Sequence, residues 1–244
     1  MGEERAMTVW EEVRAFLTDP ATWSGPDSIP ARLWEHLWIS VVAVVIAAIL
    51  VLPLAVWLGH IRRGSGVAST VVNIGRALPS FGILAISFLI LVQLGAGVGE
   101  PWAVLVALIA LAAPPLFTNT VTGIQSVEAS TVEAARGMGL TGKEVLSRVE
   151  IPLSTPLVVE GLRIATVQVI ATATLGALVA WGGLGRYIVD GFARQDMGRL
   201  IVGAVLVGLL AVLAELGLGA LQRASAPKGA RRGDIGNPAQ RSTV

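Results

Sequence analysis

The sequence has 244 residues, of which 54% are hydrophobic and 14% are charged. With 28 glycines the apolar share reaches about 65%, well above the roughly 45–50% usual in soluble domains. The formal net charge is +1, and the charges lie mainly between long apolar runs. This composition is typical of an integral membrane protein. It excludes a disordered chain, a collagen-like fibre and, because there is no cysteine, a secreted disulfide scaffold.

Five apolar runs are long enough to cross a membrane, which takes about 20 residues of helix. The predicted fold is all-α: a polytopic membrane helical bundle with about five transmembrane helices, which leaves no room for a soluble catalytic domain of ordinary size. Trp38 and Trp57 bracket the first run, as interfacial indoles do. The predicted spans are Leu37 to Gly59, Thr70 to Leu94, Trp102 to Val121, Leu157 to Ala180 and Leu200 to Leu221.

The basic residues predict the orientation, because cytoplasmic loops of membrane proteins are rich in Lys and Arg. The links after spans one and three and the C-terminal tail carry Lys or Arg, whereas the link after span two has only Glu100. The link from Gly182 to Met197 is expected outside although it contains Arg186 and Arg194. The N-terminus should therefore be outside and the C-terminus in the cytoplasm.

Three regions follow from these spans: an N-terminal outer or interfacial segment (1–36), a transmembrane domain (37–222) and a disordered cytoplasmic tail (223–244). Apolar residues between Met7 and Leu17 recur at helical spacing. This pattern predicts a short helix, which either lies on the outer membrane interface or packs against span one.

The long polar link, about residues 122–155, has the pattern of two short helices. Ser130 with Glu133 and Thr141 with Glu144 have the form of capping boxes, in which a hydroxyl and a carboxylate satisfy amides at a helix start. Gly137 and Gly139 can end the first helix, and Pro152 is expected to close the second.

Two nucleotide-binding patterns also occur in this link. Gly137, Gly139 and Gly142 match G-x-G-x-x-G, and the run to Lys143 resembles a phosphate-binding loop, but Glu144 stands where Ser or Thr should hold magnesium. Both motifs require a preceding strand and a parallel sheet, for which this link has no room. We therefore expect no nucleotide site in this chain.

The same link resembles a known family. Glu133-Ala134-Ala135, Gly139 and Val149-Glu150-Ile151-Pro152 are similar to the EAA signature, E-A-A-x3-G-x9-I-x-L-P, of permease subunits of ATP-binding-cassette (ABC) importers with a methionine-importer-like fold. Val149 and Ile151 depart conservatively from that pattern. Three further segments resemble the glycine betaine, carnitine and choline osmoprotectant permeases: Asn73 to Ser80, Gly161 to Ala165 and Gly182 to Gly185.

The resemblance implies a division of labour among subunits. It implies cytoplasmic ABC ATPase subunits, a second permease subunit that is the same or a different chain, and an extracytoplasmic substrate-binding protein, all at a bacterial inner membrane with its lipid. It implies no nucleic acid partner and no cofactor, since ATP is used by the ATPase. The EAA residues Glu133, Ala134, Ala135, Gly139, Val149, Ile151 and Pro152 then form the coupling-helix loop.

Other singled-out residues allow a structural and a functional interpretation. Arg76, Arg163 and Glu215 lie near span ends, where long side chains reach the interface, and a role in the pathway is the alternative. Asn73, Pro79, Gly182, Gly183 and Gly185 are candidates for the pathway or its gate, although the simpler explanations are an interhelical hydrogen bond for Asn73, a helix kink for Pro79 and a flexible outer turn for the glycines. Six tryptophans on the predicted outer side indicate an interfacial belt: Trp10, Trp23, Trp34, Trp38, Trp102 and Trp181.

Three alternative functions remain. The EAA signature does not report the substrate, so a permease for methionine or another amino acid is the nearest alternative. A secondary transporter working alone should show paired acidic residues at midplane or inverted repeats, and only Glu215 lies deep in a span. An intramembrane enzyme is disfavoured, because the chain has no cysteine and its two histidines, His36 and His60, lie at predicted interfaces.

Overall fold

The computed structural model describes residues 8–62 and 79–225, together with Gly66, Thr70 and Asn73. Within these residues all regular structure is helical, and four helical stretches are long and apolar enough to span a membrane. The helices are α1 (Val9–Thr18), α2 (Ile29–His60), α3 (Ser80–Gln93), α4 (Trp102–Gln125), α5 (Ala129–Gly137), α6 (Gly142–Val145), α7 (Ile151–Ala173), α8 (Gly185–Arg194) and α9 (Met197–Ser225). Short 3-10 turns follow α1 and α7, at Pro20–Thr22 and Thr174–Val179.

The predicted helical membrane bundle is confirmed, with corrected helix bounds. Span one lies in α2, which begins at Ile29 because Ser28 caps it and Pro30 occupies its first turn. The predicted boundary after residue 36 therefore falls inside a helix. Span three continues to Gln125 in α4. The structure describes the second span mainly as α3, and most residues of that span before Pro79, including Arg76, lie outside the described part of the chain, as does the tail beyond Ser225.

The helix predicted to end at Pro152 does not end there. Residues 146–150 form one π-helical turn that joins α6 to α7, and the N–H of Ile151 donates to the carbonyl of Leu146. Proline cannot supply the next N–H, and a π-bulge is a place where a helix tolerates that loss. The link therefore runs directly into the membrane helix α7.

The central helix of the bundle is α4, which packs against α2, α3 and α7. Small residues at these contacts, such as Ala43, Ala107 and Ala165, let the backbones approach closely. Gly161 of α7 crosses α4 where a Cβ atom would lie 2.9 Å from the carbonyl oxygen of Pro115. Pro114 and Pro115 lie within α4, which continues through them. They mark the place where Gly161 brings the backbone of α7 close to that of α4.

The N-terminal helix α1 packs mainly against the beginning of α9, the last membrane helix. The Glu12 carboxylate accepts a hydrogen bond of 3.1 Å from the N–H of Gly198. Val13 and Phe16 pack on a cluster that includes Tyr187 and Val202. The main contact of α1 is thus α9, although Ile29 and Leu33 of α2 belong to the same cluster, and its location on the outer interface stays a prediction.

Candidate functional site

Residues 126–150, between α4 and α7, form a compact unit that we call the coupling segment. Four buried residues make its core: Val127, Val132, Ala135 and Val145. Leu140 and Val149 pack on this core as partly buried neighbours. This core is separate from the main core of the membrane bundle.

The end of α5 and the beginning of α6 confirm two sequence expectations. Gly139 is left-handed, with φ of +91°, and the N–H of Leu140 donates to the carbonyl of Ala135 at 3.2 Å, which is the Schellman pattern. Thr141 and Glu144 form the second capping box: the Glu144 carboxylate accepts from the Thr141 N–H at 2.9 Å, and the Thr141 hydroxyl accepts from the Glu144 N–H at 3.4 Å.

The first predicted capping box is wrong. α5 begins at Ala129 with Glu128 at its N-cap position and no side-chain cap, and the Ser130 hydroxyl donates to the Glu128 carboxylate at 3.2 Å. Ser130 therefore lies inside the helix, two residues after the N-cap position. Glu133 is exposed, and its carboxylate has no hydrogen bond or ion pair with any other described residue.

The alanines of the EAA signature face in opposite directions. Ala135 is 3% exposed and belongs to the core of the segment, whereas Ala134 is exposed beside Glu133. Met138 follows on the same unit and is 76% exposed. This exposed face, Glu133, Ala134 and Met138, therefore combines a free carboxylate, a residue small enough for close approach and a flexible apolar side chain.

The far end of the signature lies at the junction with α7. Val149 is half buried against the segment core, while Ile151 and Pro152 are exposed. The signature residues thus divide into a structural group and an exposed group, rather than forming one continuous surface.

Two contacts fasten the coupling segment to the end of α2. Glu150 is 1% exposed, and its carboxylate pairs with Nδ1 of His60, the last residue of α2. Arg62 donates to the carbonyls of Val127, at 3.1 Å, and Gln125, at 3.4 Å. His60 was expected at an interface without a role, and Glu150 occupies an unspecified position of the signature. The one signal in the sequence for this contact was the acidic residue Glu150 between the apolar residues Val149 and Ile151.

At the opposite end of the bundle, residues 182–185 are packed tightly, so the expected flexible turn is wrong. The Gly183 N–H donates to Glu35 at 2.7 Å, and Glu35 also pairs with Arg32 at 2.8 Å. A Cβ atom at Gly182 would overlap the Glu35 carboxylate, and one at Gly185 would overlap the carbonyl oxygen of Thr174. Glycine is required at position 185, where the neighbouring atom belongs to the backbone, whereas a side chain at position 182 would displace the Glu35 carboxylate.

The same end holds a charged cavity of about 330 Å³ between α1, α2, α8 and α9. Ion pairs close its walls: Arg32 pairs with Asp27, and Arg186 with Asp190 at 3.1 Å. The Tyr187 hydroxyl donates to the Asp27 carbonyl at 2.6 Å, and burial raises the pKa of Tyr187 to about 12, so the donor proton is retained. These ion pairs and hydrogen bonds join the beginning of α2 to α8 at this end of the bundle.

The structure separates one of the six tryptophans from the others, and the interfacial belt stays a prediction. Five of the six named tryptophans are exposed, but Trp181 is 6% exposed and packs in the membrane core. Its ring packs against Gly176 and Gly183, where an added Cβ atom would lie 3.2 Å and 3.0 Å from ring carbons. Trp181 is therefore a core residue.

Arg163 and Glu215 do not reach the interface independently. Arg163 of α7 pairs with Glu160 at 2.8 Å and with Glu215 of α9 at 3.5 Å. The pair joins two membrane helices, and both side chains are partly exposed: 24% for Arg163 and 46% for Glu215. Asn73 is helical and exposed, and Pro79 is exposed and directly precedes α3; their roles remain predictions.

The coupling segment and the bundle agree with comparisons to known proteins. A family model described as "Binding-protein-dependent transport system inner membrane component" matches residues 51–228. The glycine betaine/carnitine/choline transport system permease protein OpuCB of Bacillus subtilis (strain 168) is 40% identical over 195 residues, covering 80% of this chain and 87% of that protein. The choline transport system permease protein OpuBB of the same organism is 36% identical, covering 82% of this chain and 90% of that protein.

The fold is also similar to solved structures. A chain of the MetNI methionine ABC transporter, in an inward-facing conformation, aligns with a TM-score of 0.73 at 24% identity, covering 86% of this chain and all of that chain. A likeness at this identity supports the fold and not the substrate.

Proposed function

The chain belongs to the family of binding-protein-dependent transport system inner membrane components, and we propose that it is the permease subunit of an ABC importer for osmoprotectants. In this role it provides the membrane pathway, and a separate ATPase supplies the energy. The solutes proposed are glycine betaine, carnitine, choline or a related quaternary amine, which are the solutes that its relatives are named for.

The observation that carries the proposal is the exposed face of the coupling segment. Glu133 offers a carboxylate without a partner among the described residues, and Ala134 beside it permits close backbone approach. The segment keeps its own core behind this face. A rigid unit with an unpaired charge and an accessible small residue is suited to docking in a basic groove of an ATPase.

Two surfaces of the bundle suggest where the proposed partners bind. Most of α9 is exposed along its apolar length, and a second permease subunit or lipid covers such a surface in a membrane. An extracytoplasmic binding protein approaches the opposite end, which carries the charged cavity. We place that end outside and the coupling segment in the cytoplasm, as the basic residues predict.

An amino-acid permease is the alternative that the fold alone leaves open. The structural neighbours include methionine ABC transporter chains at 24% and 25% identity, whereas osmoprotectant permeases reach 40%. The higher identity over most of the chain favours osmoprotectants.

The test is uptake by the complete complex in liposomes. We expect ATP-dependent uptake of at least one of glycine betaine, choline and carnitine, with no uptake of methionine above the level without ATP. Uptake of methionine alone would overturn the substrate class, and uptake that does not require ATP would overturn the ABC mechanism.

A further inference from the structure

We infer that the buried pair of Glu150 and His60 is the joint through which movement of the coupling segment reaches α2. This inference rests on the proposed function, because it assumes that an ATPase moves the segment. It assigns a positioning role to two residues outside the exposed docking face.

The pair joins a buried carboxylate to an imidazole whose side chain is 19% exposed. Glu150 is 1% exposed and lies in the π-helical turn at the end of the segment. Its carboxylate pairs with Nδ1 of His60, 90 positions away in sequence. A buried carboxylate is costly unless it is paired, so the contact holds these two elements in one arrangement.

His60 also lies beside the other half of the segment. Its Nε2 atom is 3.7 Å from the place that a Cβ atom would take on Gly142, the first residue of α6. The imidazole is therefore held between the beginning of α6 and the π-helical turn that follows it. A shift of this part of the segment must move the imidazole or break the pair.

A second contact acts beside the first. Arg62 adopts a left-handed backbone with φ of 51°, a conformation that non-glycine residues rarely adopt. In this position its guanidinium donates to Val127, at the beginning of the segment. Gly59 lies against Ile124, where a Cβ atom would be 2.8 Å from Cβ of Ile124. The end of α2 is thus joined to both ends of the segment.

Chain connectivity explains why α2 needs such a joint. The segment continues directly into α4 on one side and α7 on the other, so both helices follow its movement through the backbone. α2 has no direct chain connection to the segment and packs along α4 and α7. Beyond its packing on those two helices, the cytoplasmic end of α2 meets the segment itself through side chains, and among the described contacts the Glu150–His60 pair contains the most deeply buried charged residue.

The experiment compares two neutral replacements of similar size at the same position. Glutamine in Glu150→Gln can still hydrogen-bond to His60, whereas leucine in Glu150→Leu cannot. Uptake and ATP hydrolysis are measured together in liposomes, and the readout is solute transported per ATP hydrolysed. We expect the ratio of solute transported to ATP hydrolysed to stay near the wild-type value in Glu150→Gln. In Glu150→Leu this ratio should fall at least about threefold, the size of effect that coupling residues produce.

ATPase recovery on purification separates coupling from folding of the segment. We expect both variants to retain the ATPase, because the face of Glu133, Ala134 and Met138 is unchanged. An unchanged ratio in Glu150→Leu would overturn the inference. So would a loss of ATPase recovery in proportion to uptake, because the pair would then only maintain the docking unit.

A second variant decides the matter if Glu150→Leu fails to insert. The chain contains no cysteine, so His60→Cys combined with Glu150→Cys gives one unique thiol pair. We expect a short, reducible bis-thiosulfonate cross-linker to restore the ratio and a reductant to abolish it again. A ratio that does not respond to cross-linking would refute the joint. If the wild-type complex transports none of the offered solutes, the proposed function fails instead.

Discussion

At the scale of single residues, the close approach of Thr174 makes glycine necessary at position 185. A Cβ atom there would overlap a backbone carbonyl oxygen that cannot rotate away. We expect Gly185→Ala to destabilise the purified permease by about 1–3 kcal/mol, as overpacking typically does. Gly208→Ala is the matched control, because nothing lies within 4 Å of its Cβ position. Thermal unfolding in detergent measures both; equal midpoints would show that the 182–185 turn is not held as described.

Glu133 provides the second prediction at this scale. Its carboxylate caps no helix, so its charge is available to a partner. We expect Glu133→Gln to lower the affinity for the ATPase about fivefold, or about 1 kcal/mol, which is the upper end of the range for exposed ion pairs. Glu128→Gln is the control: Glu128 is also exposed, but it accepts a hydrogen bond from Ser130. Association measured by titrating the ATPase onto the permease distinguishes them, and equal affinities would remove Glu133 from the docking surface.

At the scale of elements, Gly139 determines how α5 ends. Leucine fits the available space but is strained at φ of +91°, whereas asparagine tolerates the left-handed conformation. We expect Gly139→Leu to displace α5 from the segment core and reduce ATP-driven uptake severely, while Gly139→Asn retains most of it. Membrane insertion should be normal in both. Similar uptake in the two variants would mean that the turn between α5 and α6 does not set the docking geometry.

The coupling segment also shows which elements the sequence could predict. Gly139 and the Thr141 capping box depend on neighbours within a few residues, so their patterns identified them correctly. The start of α5 was misplaced because two overlapping polar patterns, at Glu128 and Ser130, compete for one helix start. The helix continues past Pro152 because a π-helical turn precedes it. One such turn does not produce a recognisable pattern of hydrophobic residues in the sequence.

Long-range pairs were missed for a different reason. His60 and Glu150, Glu35 and Gly183, and Arg163 and Glu215 are far apart in sequence and meet only after the helices pack. A single sequence shows that these polar residues lie near span ends, and it does not show which of them meet. The buried Trp181 is a related case: its sequence position resembles that of the five exposed tryptophans, and only helix packing shows that its ring is buried.

At the scale of the whole molecule, the proposed orientation can be tested with single cysteines. Val98 is 67% exposed in the link after α3, and Met138 is 76% exposed on the coupling segment. We expect an impermeant maleimide to label Val98→Cys in intact cells and Met138→Cys only after the cells are opened. The absence of native cysteine makes the labelling specific. Labelling of Met138→Cys in sealed cells would reverse the orientation and remove the ATPase from its proposed site.

The central claim concerning the whole molecule is that an ATPase drives transport through the exposed face of the coupling segment. Ala134 and Ala135 test it as neighbours, because one is exposed on that face and the other is in the segment core. The most direct measurement is ATP-driven uptake of glycine betaine, choline or carnitine in liposomes containing Ala134→Leu, with ATPase recovery measured on the same sample. The expected result is a normally folded permease that loses both ATPase and uptake, whereas Ala135→Leu also lowers the thermal stability of the permease alone. Full uptake with full ATPase recovery in Ala134→Leu would contradict the claim.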